Sequence, residues 1–148
     1  MTNVLQFSRQ RKSSSRSVRP SIRKREGGVR VLLVEDHPGT ASAMSRLLRT
    51  QGFSVDYAAT CSEAIQALEM TRYDLMVSDI GLPDGSGLEL MRHARAVSGI
   101  AGIALSGLNT EHDIRRSKQA GFAVHITKPL NIQQLIESIE RLTCVAVG

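Results

Sequence analysis

Val29-Arg30-Val31-Leu32-Leu33-Val34 is a short β-branched run that turns abruptly acidic at Glu35-Asp36. Apolar residues fill both alternations of the run, the pattern of a strand covered by helices on both faces. Downstream, Pro38 suits the first turn of a helix, and Met44, Leu47 and Leu48 recur at helical spacing until Gly52 stops it. Phe53 to Ala58 alternates and reads as an edge strand. Ser62 reads as the cap of a second helix carrying Ala64, Ile65 and Leu68. Leu75-Met76-Val77-Ser78 is a third strand, and Asp79 to Gly87 is a loop by composition. A helix from about Leu88 to Ala96, a strand from Ile100 to Leu105, a helix capped by Thr110 and stopped by Gly121, a strand from Phe122 to Ile126 and a helix from Ile132 to Leu142 complete the series. Five strands alternating with five helices imply right-handed crossovers and one doubly wound α/β domain with a five-stranded parallel sheet. Ligands of such a sheet gather beyond the carboxyl ends of its strands.

The chain has 148 residues, of which 41% are hydrophobic and 22% charged, enough for one domain with a real core. Its net charge of +5 is unevenly spread: residues 1–28 carry eight Lys/Arg against Glu26 alone, and the remainder is mildly acidic. Residues 1–28 therefore read as a disordered basic tail or linker, and residues 29–144 as the domain. Nucleic acid is not expected as a partner, since Phe7 is the tail's sole aromatic residue and stacking has almost nothing to use. No run approaches the ~18 apolar residues of a membrane span, and no apolar stretch follows the basic N-terminus as a secretory signal requires. Cys61 and Cys144 are too few for a disulfide framework or a zinc cluster, so a reducing cytoplasm is expected.

The polar residues just past the strands fall into one set: Glu35 and Asp36 after the first, Asp79 after the third, Ser106 after the fourth and Lys128 after the fifth. Taken singly, each has a plain explanation. A lone Asp after a strand is a solvated loop residue, Ser106-Gly107 is a common turn, and Lys128 is a surface lysine. The fold, however, brings all five to one crevice. Three carboxylates there repel one another, and an all-oxygen donor set selects a hard divalent ion such as Mg²⁺. Asp79 can then act as a nucleophile toward phosphorus, with Lys128 on the phosphoryl oxygens and Ser106 donating a hydrogen bond.

Leu32-Leu33-Val34-Glu35-Asp36-His37, Ser78-Asp79-Ile80-Gly81-Leu82-Pro83-Asp84-Gly85, Ala104-Leu105-Ser106-Gly107 and Ile126-Thr127-Lys128-Pro129 resemble the blocks of two-component receiver domains, the CheY-like superfamily. The resemblance covers about residues 29–142, and the Ser78–Gly87 block looks most like receivers attached to hybrid histidine kinases. It implies a flavodoxin-like (βα)5 fold of strand order 2-1-3-4-5. It implies too that Asp79 is the phosphoacceptor, served by a histidine kinase or a histidine phosphotransfer protein. Asp36, Asp79 and the backbone carbonyl of Gly81 would bind Mg²⁺ directly, and Glu35 through water. Ser106 and Lys128 would contact the phosphoryl group, and the Lys128–Pro129 bond would be cis. Two positions depart from the usual pattern. Glu35 stands where the family often has Asp. His125, on its own a partly buried strand residue, stands where the family usually has a Tyr or Phe that switches rotamer together with the inward movement of Ser106. His37 and His112 read as surface residues and Cys61 as packing at a helix start.

Two other functions compete. A haloacid-dehalogenase-type phosphatase also uses an aspartate nucleophile, but it needs a second acid two positions later, where this chain has Gly81. A phosphorylation-independent interaction module with the receiver fold is the other alternative. Against it stands the intact acidic set, which such a module has no use for.

Overall fold

In the computed structural model, which describes residues 28–143, β1 (Arg30–Val34) is fully buried from Val31 onward. The basic stretch 1–27 and Cys144 lie outside the described residues, and with them the expectation of a disordered tail. After β1 come α1 (Pro38–Thr50), β2 (Ser54–Ala58), α2 (Cys61–Met70), β3 (Leu75–Asp79), α3 (Gly87–Ser98), β4 (Ala101–Ser106), α4 (Glu111–Ala120), β5 (Val124–Thr127) and α5 (Ile132–Thr143). The five strands form one parallel sheet in the order β2-β1-β3-β4-β5, the flavodoxin-like order. β2 sits at an edge, as its alternation predicts.

The two-sided hydrophobicity of β1 builds two cores. Leu32 and Val34 face Ala64, Ala67 and Leu68 of α2 and Leu90, Met91 and Ala94 of α3. Val31 and Leu33 face Met44 and Leu48 of α1 and Leu135, Ile136 and Ile139 of α5. Each strand position thus contributes to one core or the other, which is why a continuous apolar run suits this fold and an alternating one suits only its edge.

Several boundaries differ from the sequence reading. α2 is capped by Thr60, whose side chain accepts the Glu63 N–H, and not by Ser62. Asp84 explains the choice: its carboxylate accepts the Cys61 and Ser62 N–H groups at 2.7 and 3.1 Å from across the Asp79–Gly87 connection. That connection is not a plain loop, since Gly81–Leu82 and Gly85–Ser86 pair as a small antiparallel hairpin. β3 and β4 each run one residue further than expected, so that Asp79 and Ser106 are their last residues.

Candidate functional site

The register of the sheet sets the site. Asp79 ends β3 opposite Leu105 of β4, and Ser106 ends β4 opposite Thr127 of β5, one residue before Lys128. Glu35 follows β1 directly and its N–H is held by the Ala58 carbonyl of β2. Strand ends therefore place the backbones of these residues.

Lys128 Nζ lies 2.9 Å from Asp79 Oδ1 and 3.8 Å from Glu35 Oε1. Glu35 is completely buried, an unusual place for a carboxylate. One of its oxygens, Oε2, accepts the His37 N–H at 3.0 Å, while Oε1 has no hydrogen-bond partner among the described residues. Asp36 is half-buried beside it. Burial pushes the Asp79 carboxyl up to about 7, and the neighbouring Glu35 adds to the rise, while Lys128 works against it. For Lys128, burial works downward, but the hydrogen bond and charge of Asp79, with Glu35 and Asp36 behind it, outweigh this and hold the ammonium above the ordinary lysine value. One cation therefore faces a surplus of buried negative charge. A site with an orphaned buried carboxylate oxygen and neighbouring carboxylates fits a hard divalent cation.

Ser106 is buried, and its Oγ accepts the Leu108 N–H at 2.9 Å. Its carbonyl accepts the Lys128 N–H at 2.8 Å, so the fourth and fifth strand ends are tied together. The Lys128–Pro129 peptide is cis, as the resemblance implies. Gly81 begins the hairpin two residues past Asp79. His125 is half-buried on β5, with both ring nitrogens engaged away from the acidic set. His37 is exposed as expected, yet a ligand atom of each of Glu35, Asp36 and His37 lies within 4.8 Å of the others.

Sequence reasoning missed Gly87. A Cβ there would run into the Asp79 carbonyl oxygen, so the start of α3 packs directly on the backbone of Asp79. It missed Asp84 as well, which ties the connection after Asp79 to the start of α2. The signal for both was the run Asp84-Gly85-Ser86-Gly87, whose composition says only that a turn is present.

Comparison with known proteins agrees with this fold. Residues 31–140 match the family described as the response regulator receiver domain. The chain is 34% identical over 119 residues to a gliding motility regulatory protein of Myxococcus xanthus, covering 78% of this chain but only 15% of that protein. It is 30% identical to an uncharacterized 14.6 kDa protein of Leptolyngbya boryana, covering 78% of this chain and 90% of the relative. Among solved structures it is similar to the receiver domain of sensor histidine kinase PA1611 from Pseudomonas aeruginosa, with 30% identity and a TM-score of 0.72 over 78% of this chain and 98% of the other. That structure has a magnesium ion coordinated in its active site cleft.

Proposed function

This chain belongs to the response regulator receiver domain family, and we propose that it is a phosphorelay receiver whose Asp79 takes a phosphoryl group from a histidine kinase or a histidine phosphotransfer protein. The observation that carries this is the contact of Lys128 Nζ with Asp79 Oδ1 at 2.9 Å beside the buried Glu35. An Asp79 oxygen attacks phosphorus in line. The new O–P bond forms as the P–N bond to the donor imidazole breaks, the imidazole keeps the electron pair, and an acyl phosphate remains on Asp79. Lys128 then pairs with a phosphoryl oxygen, and Ser106 turns inward to donate to another. Glu35, Asp36, Asp79 and the Gly81 carbonyl would hold Mg²⁺. When bound, the ion neutralises negative charge on the carboxylates and the phosphoryl oxygens. Gly81 at the second position after Asp79 has no side chain to activate water, which favours a phosphoacceptor over a turning-over phosphatase.

Phosphate on Asp79 favours a state with Ser106 and His125 rearranged and the surface around β4 and β5 altered for a protein target. On the wording of the Ser78–Gly87 block we take the domain for the hybrid-kinase kind, a reading the likeness to the PA1611 receiver supports. Among the described residues no helix is long and apolar enough to cross a membrane. Incubation with acetyl phosphate and Mg²⁺ tests the proposal. The protein is expected to gain one phosphoryl mass, and Asp79→Asn or chelation of the metal is expected to abolish the gain. A gain that survives Asp79→Asn overturns the assignment. Partner binding indifferent to that substitution would favour the phosphorylation-independent module.

A further inference from the structure

α1 gives only part of its surface to the core. Met44 and Leu48 pack there against Val31 and Leu33. The neighbouring face carries Pro38, Ala41, Ser45 and Arg49 at spacings of three and four residues, along a cleft shared with Tyr57 of β2. The cleft has a volume of about 500 Å³, within the range of small-molecule sites. It is open because Ala41 and Ser45 are small, and because β2 is the edge of the sheet, with no strand beyond it among the described residues. Toward the end of α1, Arg49 ties the two walls together: its Nη2 donates to the Val55 carbonyl at 2.8 Å.

The lining has a one-sided chemistry. Arg46 and Arg49 stand one turn apart on it, and no carboxylate lines it. Arg49 is already engaged by Val55 and lies in the field of Asp56. Arg46 is exposed and, among the described residues, makes no hydrogen bond or ion pair. Ser45 is only 5% exposed, and its hydroxyl too has no hydrogen-bond partner among the described residues. A buried hydroxyl ordinarily finds a partner, in a helix commonly the carbonyl four residues before it, so an unused one in the wall of a cleft points to a ligand. The Tyr57 end is different. There burial, with the charges of Glu63, Glu35 and Asp36 behind it, holds the phenol above the ordinary tyrosine value, so the ring stays neutral. Those carboxylates repel an anion from the Tyr57 end, while Arg46 attracts it to the other.

We propose that the cleft between α1 and β2 is a binding site for a small organic anion, a single acidic group on a flat apolar body, seated with its charge at Arg46 and Ser45 and its body on the ring of Tyr57. The guanidinium and the hydroxyl then donate to one anionic group, and the Ser45 oxygen gains the partner it lacks. The Tyr57 ring supplies a flat wall for the body, with Pro38 and Ala41 as its apolar neighbours. A cation would meet Arg46 as a like charge, and a neutral molecule would leave that guanidinium without a counter-charge. A metal ion has no carboxylate to bind here. The site is separate from the acidic set around Asp79 and does not depend on phosphorylation.

Titration of the full-length protein with 2-naphthoate, followed by nitrogen-15 NMR, tests the site. The amides of Ser45, Arg46 and Tyr57 are expected to shift most, saturably, with a Kd of about 1 mM or tighter. The neutral 2-naphthamide should bind about tenfold more weakly, and 2-naphthoate should lose about as much on Arg46→Gln, each lacking the charge-assisted hydrogen bond. Ser45→Ala should weaken binding by about threefold, as loss of one hydrogen bond does. Arg46 is an exposed side chain, so Arg46→Gln is expected to melt as the wild type does and to report on binding alone. Shifts centred on Asp79 and Lys128, shifts that do not saturate, equal affinity for the amide, or affinity unchanged in Arg46→Gln or Ser45→Ala overturns the proposal. No arm involves phosphate, so such a failure leaves the receiver reading where it stands.

Discussion

Asp79 experiences opposed influences, and their balance gives a pH dependence of known sign. Burial, reinforced by Glu35, raises its carboxyl to about 7 despite Lys128. In the unfolded chain that carboxyl titrates near 3.8. Between these values the folded protein holds a proton that the unfolded chain has released, so stability falls as pH rises through the window and levels off above it. In metal-free buffer, thermal unfolding of Asp79→Asn should lack this part of the decline. At pH 8 the variant should melt about 4 °C or more above the wild type, with the gap closing toward pH 4. Parallel curves would show that Asp79 is not strained. Lys128→Met should act in opposite directions on two readouts. Phosphorylation by acetyl phosphate should slow by about 10²-fold, the usual loss for a group that stabilises developing charge. Mg²⁺ affinity, measured by calorimetry, should hold or rise, because the ammonium that competes with the ion for Asp79 is gone. A fall in both would make Lys128 a structural prop.

The strands and helices were largely legible because each follows from a local rule. A two-sided apolar run is a central strand, an alternating one is an edge, and Gly52 and Gly121 stop helices in backbone conformations of positive φ. What stayed hidden depends on residues distant in sequence. The cap of α2 was read two residues late, at Ser62, because its first amides are taken by Asp84, 22 or more residues away. The hairpin at Gly81–Ser86 has arms of two residues, too short for any period to appear. Gly87 carries a similar lesson. Its close approach to the Asp79 carbonyl is a contact between α3 and the end of β3 that no local pattern shows. Gly87→Ala should therefore cost about 1–3 kcal/mol of stability, as overpacking does, measurable by urea unfolding. Its phosphorylation should fall even where the protein remains fully folded, since the displaced backbone belongs to Asp79. Unchanged stability would mean that α3 yields freely.

The strand ends that carry the candidate site residues are brought side by side only through the order of the sheet. β3 lies between β1 and β4, and β5 beyond β4, so the carboxyl ends that carry Glu35, Asp79, Ser106 and Lys128 follow one another along one edge. The sequence made this convergence readable because each residue stands at or just past a strand's end. It could not show which contacts follow, such as the tie from the Lys128 N–H to the Ser106 carbonyl, nor the two-sided engagement of His125. A cation bound only by the folded arrangement stabilises the whole domain by mass action. Mg²⁺ at a hundred times its dissociation constant should add about 2.7 kcal/mol, seen as a raised melting temperature that Asp36→Asn loses. An equal rise in the variant would move the ion elsewhere.

All of this rests on Asp79 carrying the phosphoryl group. Reduction with borohydride converts an aspartyl phosphate to homoserine, and peptide mass spectrometry then locates it in the chain. After treatment with a phosphodonor and Mg²⁺, homoserine is expected at position 79 and only there. Its absence from position 79 in protein that has gained phosphate, or its appearance at another aspartate, would contradict the account.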